Sequence, residues 1–222
     1  MQPKKSYLPW IILIVLILVG FGIYAVTKIR SKQPTEQPQP VTETPTTEPE
    51  TQEENLTNLD PSTFDAQLKE NLDLATALAL KWRADAALVY VEVQLDSVTP
   101  DEGTETYVFD SPKTPGLHFT CSISQKTKKY IRAAVPTEDY LGSDLLAIDI
   151  QYWKINYVSA LQIAEKEGGK EFREKNLNWT ISIKLQRGEP KNWLYYTVEY
   201  KTKEEQVFSV KINPSSSEVV EE

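Results

Sequence analysis

Histidine and cysteine are almost missing from this chain of 222 residues: His118 and Cys121 are single copies. One cysteine excludes an intramolecular disulfide, so the fold must be held by side-chain packing. One histidine excludes most hydrolase triads, and almost every zinc site, because such a site draws on several Cys and His ligands. Neither a glycine-rich phosphate loop nor a serine-nucleophile motif occurs anywhere. Positive charge is also in short supply. With 24 basic against 32 acidic residues the net charge is −8, which argues against sequence-independent nucleic-acid binding, an affinity that Lys and Arg supply by neutralising phosphates.

Charge is unevenly distributed along the chain. Residues 1–32 carry Lys4, Lys5, Lys28, Arg30 and Lys32 and no acidic group, whereas 33–57 carry six glutamates and no basic one. Between Lys5 and Lys28 no side chain is charged, and Leu8 to Val26 is an almost unbroken apolar run. At a rise of about 1.5 Å per residue it spans roughly 28 Å, the hydrocarbon thickness of a bilayer. Trp10 and Tyr24 stand near its two ends, at headgroup level. The run is too long for a signal peptide, and Ile23 fits poorly at the small-residue position of a cleavage site. A single-pass anchor over 1–30 is therefore expected. Basic residues flank both ends and leave its orientation undecided; the acidic, Pro/Thr-rich stretch that follows points to an extracytoplasmic C-terminal part. That stretch, 31–58, has almost nothing apolar to bury and is expected to be a disordered linker.

Beyond it, Phe64, Leu68, Leu72, Ala75, Ala79 and Trp82 recur at spacings of three and four and predict a helix, opened by a capping pair of Ser62 and Asp65. Alternation then takes over: Val89, Val91, Val93 and Leu95 are expected on one sheet face, with Tyr90, Glu92 and Gln94 on the other. Further strands are expected at 105–109, 117–124 and 129–135. The order repeats. Val158, Leu161 and Ala164 predict a short helix that stops at Gly168-Gly169, with one more turn available at 171–175. Alternating strands follow around 179–186 and 194–200, and a last one at 207–212. The expected fold class is α+β: two tandem units, 59–135 and 136–222, each with a helix packed on its own antiparallel sheet.

The stretch Trp153-Lys154-Ile155-Asn156-Tyr157-Val158-Ser159-Ala160-Leu161-Gln162-Ile163-Ala164, the Gly168-Gly169 pair with Phe172, the strand around Trp193–Tyr200 and the closing Phe208-Ser209-Val210-Lys211-Ile212-Asn213 resemble PepSY-like domains. The first unit is a looser relative, through 77–82 and 85–88. After Asn213 the chain departs from the pattern, since 213–220 lacks the usual glycine. The resemblance implies tandem bacterial modules without catalytic residues, tethered outside the cytoplasm, that inhibit or regulate another envelope protein, such as a peptidase or a cell-wall synthesis enzyme.

The residues themselves agree with a non-catalytic reading. His118 lacks partners in sequence and reads as a structural or exposed residue. It lies three positions from Cys121 on one strand, so the two side chains point to opposite faces, and Cys121 reads as a small buried hydrophobe. Asp139, Asp144 and Asp149 lack the alternating oxygens and central glycine of a calcium loop. No catalytic, cofactor or metal residue is assigned. Among Trp153, Trp179, Trp193, Tyr195, Tyr196 and Tyr200, alternation places Trp193 and Tyr195 on the face away from the helix, where exposed rings would form a partner-binding patch. Exposed edge strands suit addition of an extended peptide. The expected partners are the bilayer, through Leu8 to Val26, and an envelope protein or peptide. A carboxylate-dependent enzyme acting on cell-wall polymer and a passive structural protein are the alternatives.

Overall fold

The Asp60 carboxylate accepts a hydrogen bond from the Ser62 amide at 3.0 Å, and Pro61 brings the fixed φ that suits a first helical turn. A 3-10 turn, Pro61–Phe64, thus leads into helix α1, Asp65–Trp82. The cap is Asp60, not the expected Ser62. The computed structural model describes Leu56 and residues 59–142, 144–189 and 191–220, all within one compact unit, Pro49–Glu222. On α1, Ala75, Leu78 and Ala79 are buried, while Leu68, Leu72 and Trp82 are half-buried against the same core.

Asn156 starts the second helical stretch, its Oδ1 accepting from the Ser159 amide at 3.0 Å. Helix α2, Tyr157–Ala164, runs through a π-turn at Glu165–Gly169 into α3, Lys170–Lys175. Gly168 sits at φ +128°, a conformation that needs glycine. At Gly169 a Cβ would lie 2.5 Å from the Tyr200 hydroxyl. The glycine pair therefore kinks the helix and seats it on the sheet.

The strands are β1 (Ala87–Leu95), β2 (Thr104–Asp110), β3 (Leu117–Ser124), β4 (Tyr130–Pro136), β5 (Trp179–Gly188), β6 (Trp193–Thr202) and β7 (Val207–Ile212). They form one antiparallel sheet in the order β4-β3-β2-β1-β5-β6-β7. Here the expectation of tandem units is corrected. Helix followed by meander does occur twice along the chain, but β1 pairs with β5, so both meanders belong to a single sheet. Cross-strand partners make the point at residue level. Cys121, Tyr107, Val91, Leu185, Tyr196 and Ile212 form one row across six strands. All six are buried in one core cluster that also takes in both helices. The described residues form one α+β domain, with α1 over β2 and β3 and α2 over β6 and β7.

Two local expectations change as well. A β-bulge between Leu88 and Tyr90 turns Val89 to the face of Tyr90, where both join Val108 in a second cluster beneath Leu141 and Leu145 of the segment after β4. An extra residue in one strand reverses the alternation at that point. At the C-terminal end, Ser217 adopts φ +65°, so the turn after β7 forms without a glycine.

The structure also departs from the expected single-pass membrane topology. No helix among the described residues is long and apolar enough to cross a bilayer. The span expected at Leu8 to Val26 lies outside the described residues, as does the linker 31–58 apart from Leu56, which is buried. Among the described residues no helix therefore carries the expected bilayer contact or extracytoplasmic placement.

Candidate functional site

The two sheet edges are finished differently. Along β7 the chain folds back on itself. The Val220 amide donates to the Lys211 carbonyl at 2.8 Å, the Asn213 amide donates to the Glu218 carbonyl at 2.8 Å, and Val219 bridges Ile212. Among the described residues nothing pairs with the outer side of β4.

The ladder between β3 and β4 is anchored at both ends. The Ser124 amide donates to the Lys129 carbonyl at 2.9 Å, and the Thr137 amide donates to the Gly116 carbonyl at 3.1 Å. Hydrogen-bonded and non-bonded pairs alternate along an antiparallel ladder. These two bonds therefore set the phase: Lys129, Ile131, Ala133 and Val135 turn their N–H and C=O groups toward β3, and Tyr130, Arg132 and Ala134 turn theirs outward. Pro136 has no N–H to offer, so the outward donors end at Ala134.

Side chains on this edge are open to solvent too. Register places Tyr130, Arg132 and Ala134 on the helix face, opposite Ile123, Cys121 and Phe119. The buried row through Cys121 thus ends in Arg132. Ile131 and Ala133 lie on the other face. Ile131 is 77% exposed and Tyr130 45%, because α1 sits over β2 and β3 and stops short of β4. Tyr130, Ile131, Arg132, Ala133 and Ala134 are all exposed, the reverse of the buried pattern on β1.

Of the two residues singled out from sequence, Trp193 is 52% exposed and Tyr195 only 4%. Both face away from the helices, but Tyr195 lies in the sheet interior with the Lys211 ammonium 5.9 Å from its ring centroid. Trp193 carries Lys191 at 4.5 Å. It lines a cleft of about 620 Å³ together with Tyr152, Asp149, Arg187, Asn192 and Asn213. The cleft gathers the ends of β5 and β6 and the segment before α2. The expected pair does not form one patch.

His118 is buried between two acceptors. Nδ1 meets the Asp110 carboxylate, and Nε2 donates to the Gly142 carbonyl at 2.9 Å. It ties β3 to the segment that crosses the sheet. Cys121 lies in the main core, where burial pushes its thiol up to about 11, so it is protonated and a poor nucleophile at neutral pH. Asp149 caps the 3-10 turn Ile150–Tyr152, accepting from the Gln151 amide at 3.1 Å. No group of metal-ligating side chains occurs among the described residues.

Sequence reading missed a buried carboxylate. Glu105, fully buried, stands in the apolar row between Ile123 and Val93. Its Oε2 accepts from Asn71 Nδ2 at 3.0 Å and from the Tyr107 hydroxyl at 2.6 Å, and Oε1 accepts from Gln125. Loss of hydration raises its pKa to about 7, against the opposing pull of the Tyr107 and Asn71 hydrogen bonds. Its position was readable from alternation, since Glu105 shares the parity of Tyr107 and Phe109. The polar partners come from α1 and from the turn after β3, which only the fold brings together.

No family model, curated protein or solved structure matches the chain. The resemblance to tandem PepSY-like modules is corrected by this result and by the single shared sheet.

Proposed function

We propose that this domain is a non-catalytic recognition module that takes up an extended peptide segment as an eighth strand along β4. The observation that supports this reading is the outer edge of β4, where the backbone groups of Tyr130, Arg132 and Ala134 face outward on a strand exposed on both faces. Such groups are a template for another strand. The opposite edge, at β7, is occupied by the chain's own return. The absence of cysteine and histidine constellations in the sequence fits recognition better than catalysis.

The test uses the full chain and a fluorescein-labelled peptide of nine residues, alternating Val and Gln, followed by fluorescence anisotropy. Ala134→Pro removes one outward donor and leaves the ladder to β3 intact. Loss of one such hydrogen bond is worth about 1 kcal/mol, so binding should weaken by roughly fivefold with α/β circular dichroism unchanged. A peptide that does not bind, or that binds Ala134→Pro equally well, would overturn the reading.

A further inference from the structure

We infer that the strand accepted by β4 is an acidic one, with carboxylates on one face and apolar side chains on the other. The inference rests on the strand-addition reading above and concerns which peptides that edge selects.

The first observation is charge. Between Ser124 and Pro136 the chain carries Lys126, Lys128, Lys129 and Arg132 and no acidic residue, in a protein of net charge −8. Two of these cations are already engaged: Lys126 pairs with Glu102 at 2.9 Å, and Lys128 donates to Gln125 Oε1 at 3.1 Å. No ion pair is formed by Lys129 or Arg132 among the described residues. The hairpin end and outer edge of β4 are thus a basic strip on an acidic molecule.

The second observation is the separation of chemistry by face. Arg132 turns its own N–H and C=O outward, so a residue placed opposite it on an added strand is directly hydrogen-bonded to it and shares its sheet face. A carboxylate there meets the guanidinium. The next residue along the added strand points to the other face, beside Ile131 and Ala133. Alternating Glu and Val therefore satisfies both faces at once.

The same charges argue against a second copy of this chain as the occupant. Antiparallel pairing of two β4 strands about a twofold axis brings two Arg132 side chains and two lysine-rich hairpin ends within a short span, and like charges opposed across strands are unfavourable. Lys and Arg on an exposed edge are a recognised device against such pairing.

Three labelled nine-residue peptides distinguish the possibilities with the full chain: alternating Val with Glu, with Gln or with Lys. An exposed ion pair changes affinity by up to about fivefold. The Glu peptide should therefore bind up to about fivefold more tightly than the Gln peptide through the carboxylate opposite Arg132, and the Lys peptide most weakly. Raising salt to about 0.5 M should shrink the difference by screening. Arg132→Gln should erase the preference while leaving affinity for the Gln peptide in place. Equal binding of all three peptides, weakened by Ala134→Pro, overturns the acidic preference and leaves strand addition standing. No binding of any peptide, or binding indifferent to Ala134→Pro, overturns strand addition itself. A concentration-dependent dimer abolished by Ala134→Pro assigns the edge to a second copy and overturns the inference.

Discussion

Glu105 shows how one residue can tie stability to pH. Its carboxyl is ordinarily half-ionised near 4.5 and in the folded protein at about 7. Between those values the folded state keeps a proton that the unfolded chain releases, so the stability linked to Glu105 is complete below about pH 4.5, declines through the window and is lost above 7. At 1.36 kcal/mol per pH unit this amounts to roughly 3 kcal/mol. Urea titrations from pH 4 to 8 should show that decline in the parent chain and a flatter profile in Glu105→Gln, which carries no ionisable group. Gly169 is a second sensitive position. A methyl group there meets the Tyr200 hydroxyl at 2.5 Å and the Ala164 carbonyl at 2.9 Å, and Tyr200 is held by its hydrogen bond to Glu165 at 2.7 Å. Gly169→Ala should cost about 2 kcal/mol as the helix is pushed from the sheet, read as a lower midpoint of thermal unfolding. Both effects depend on neighbours far along the chain, Asn71 and Gln125 for Glu105 and Tyr200 for Gly169, which local spacing does not reveal.

At the scale of the element, β4 makes a contrast between adjacent residues. The Ala133 amide turns toward β3 and the Ala134 amide turns away. Proline at 133 removes a ladder bond and should cost about 3 kcal/mol, whereas proline at 134 should leave stability nearly unchanged. Thermal melts of the two variants check the backbone phase without any ligand. Equal losses would mean that the assigned phase is wrong. The helices teach a related lesson. The stripe Phe64, Leu68, Leu72, Ala75, Ala79 and Trp82 was legible because a helix buries one face, and the Gly168-Gly169 interruption was legible as a local break. The bulge at Leu88 and Tyr90 was not, since an inserted residue leaves the hydrophobic string looking regular while it reverses which side is inside.

For the whole molecule, the row from Cys121 to Ile212 implies that neither meander has a core of its own. Separately produced fragments 59–149 and 150–222 should each lack a cooperative thermal transition, because severing β1 from β5 exposes Val91 and Val93 on one side and Ile183 and Leu185 on the other. Mixing the two should restore the transition, and a fragment that melts cooperatively alone would contradict a single shared core. Periodicity in the sequence determined that helix and meander occur twice, where most strands run, and that no disulfide or multi-histidine site holds the fold, because each of these is set by local spacing or by composition. Tertiary structure decided that the two meanders form one sheet, since strand pairing between residues about ninety apart leaves no local signature. It also separated Trp193 from Tyr195 in exposure and left β4 as the open edge: side-chain alternation assigns a face, but only the packing around a strand determines what covers it.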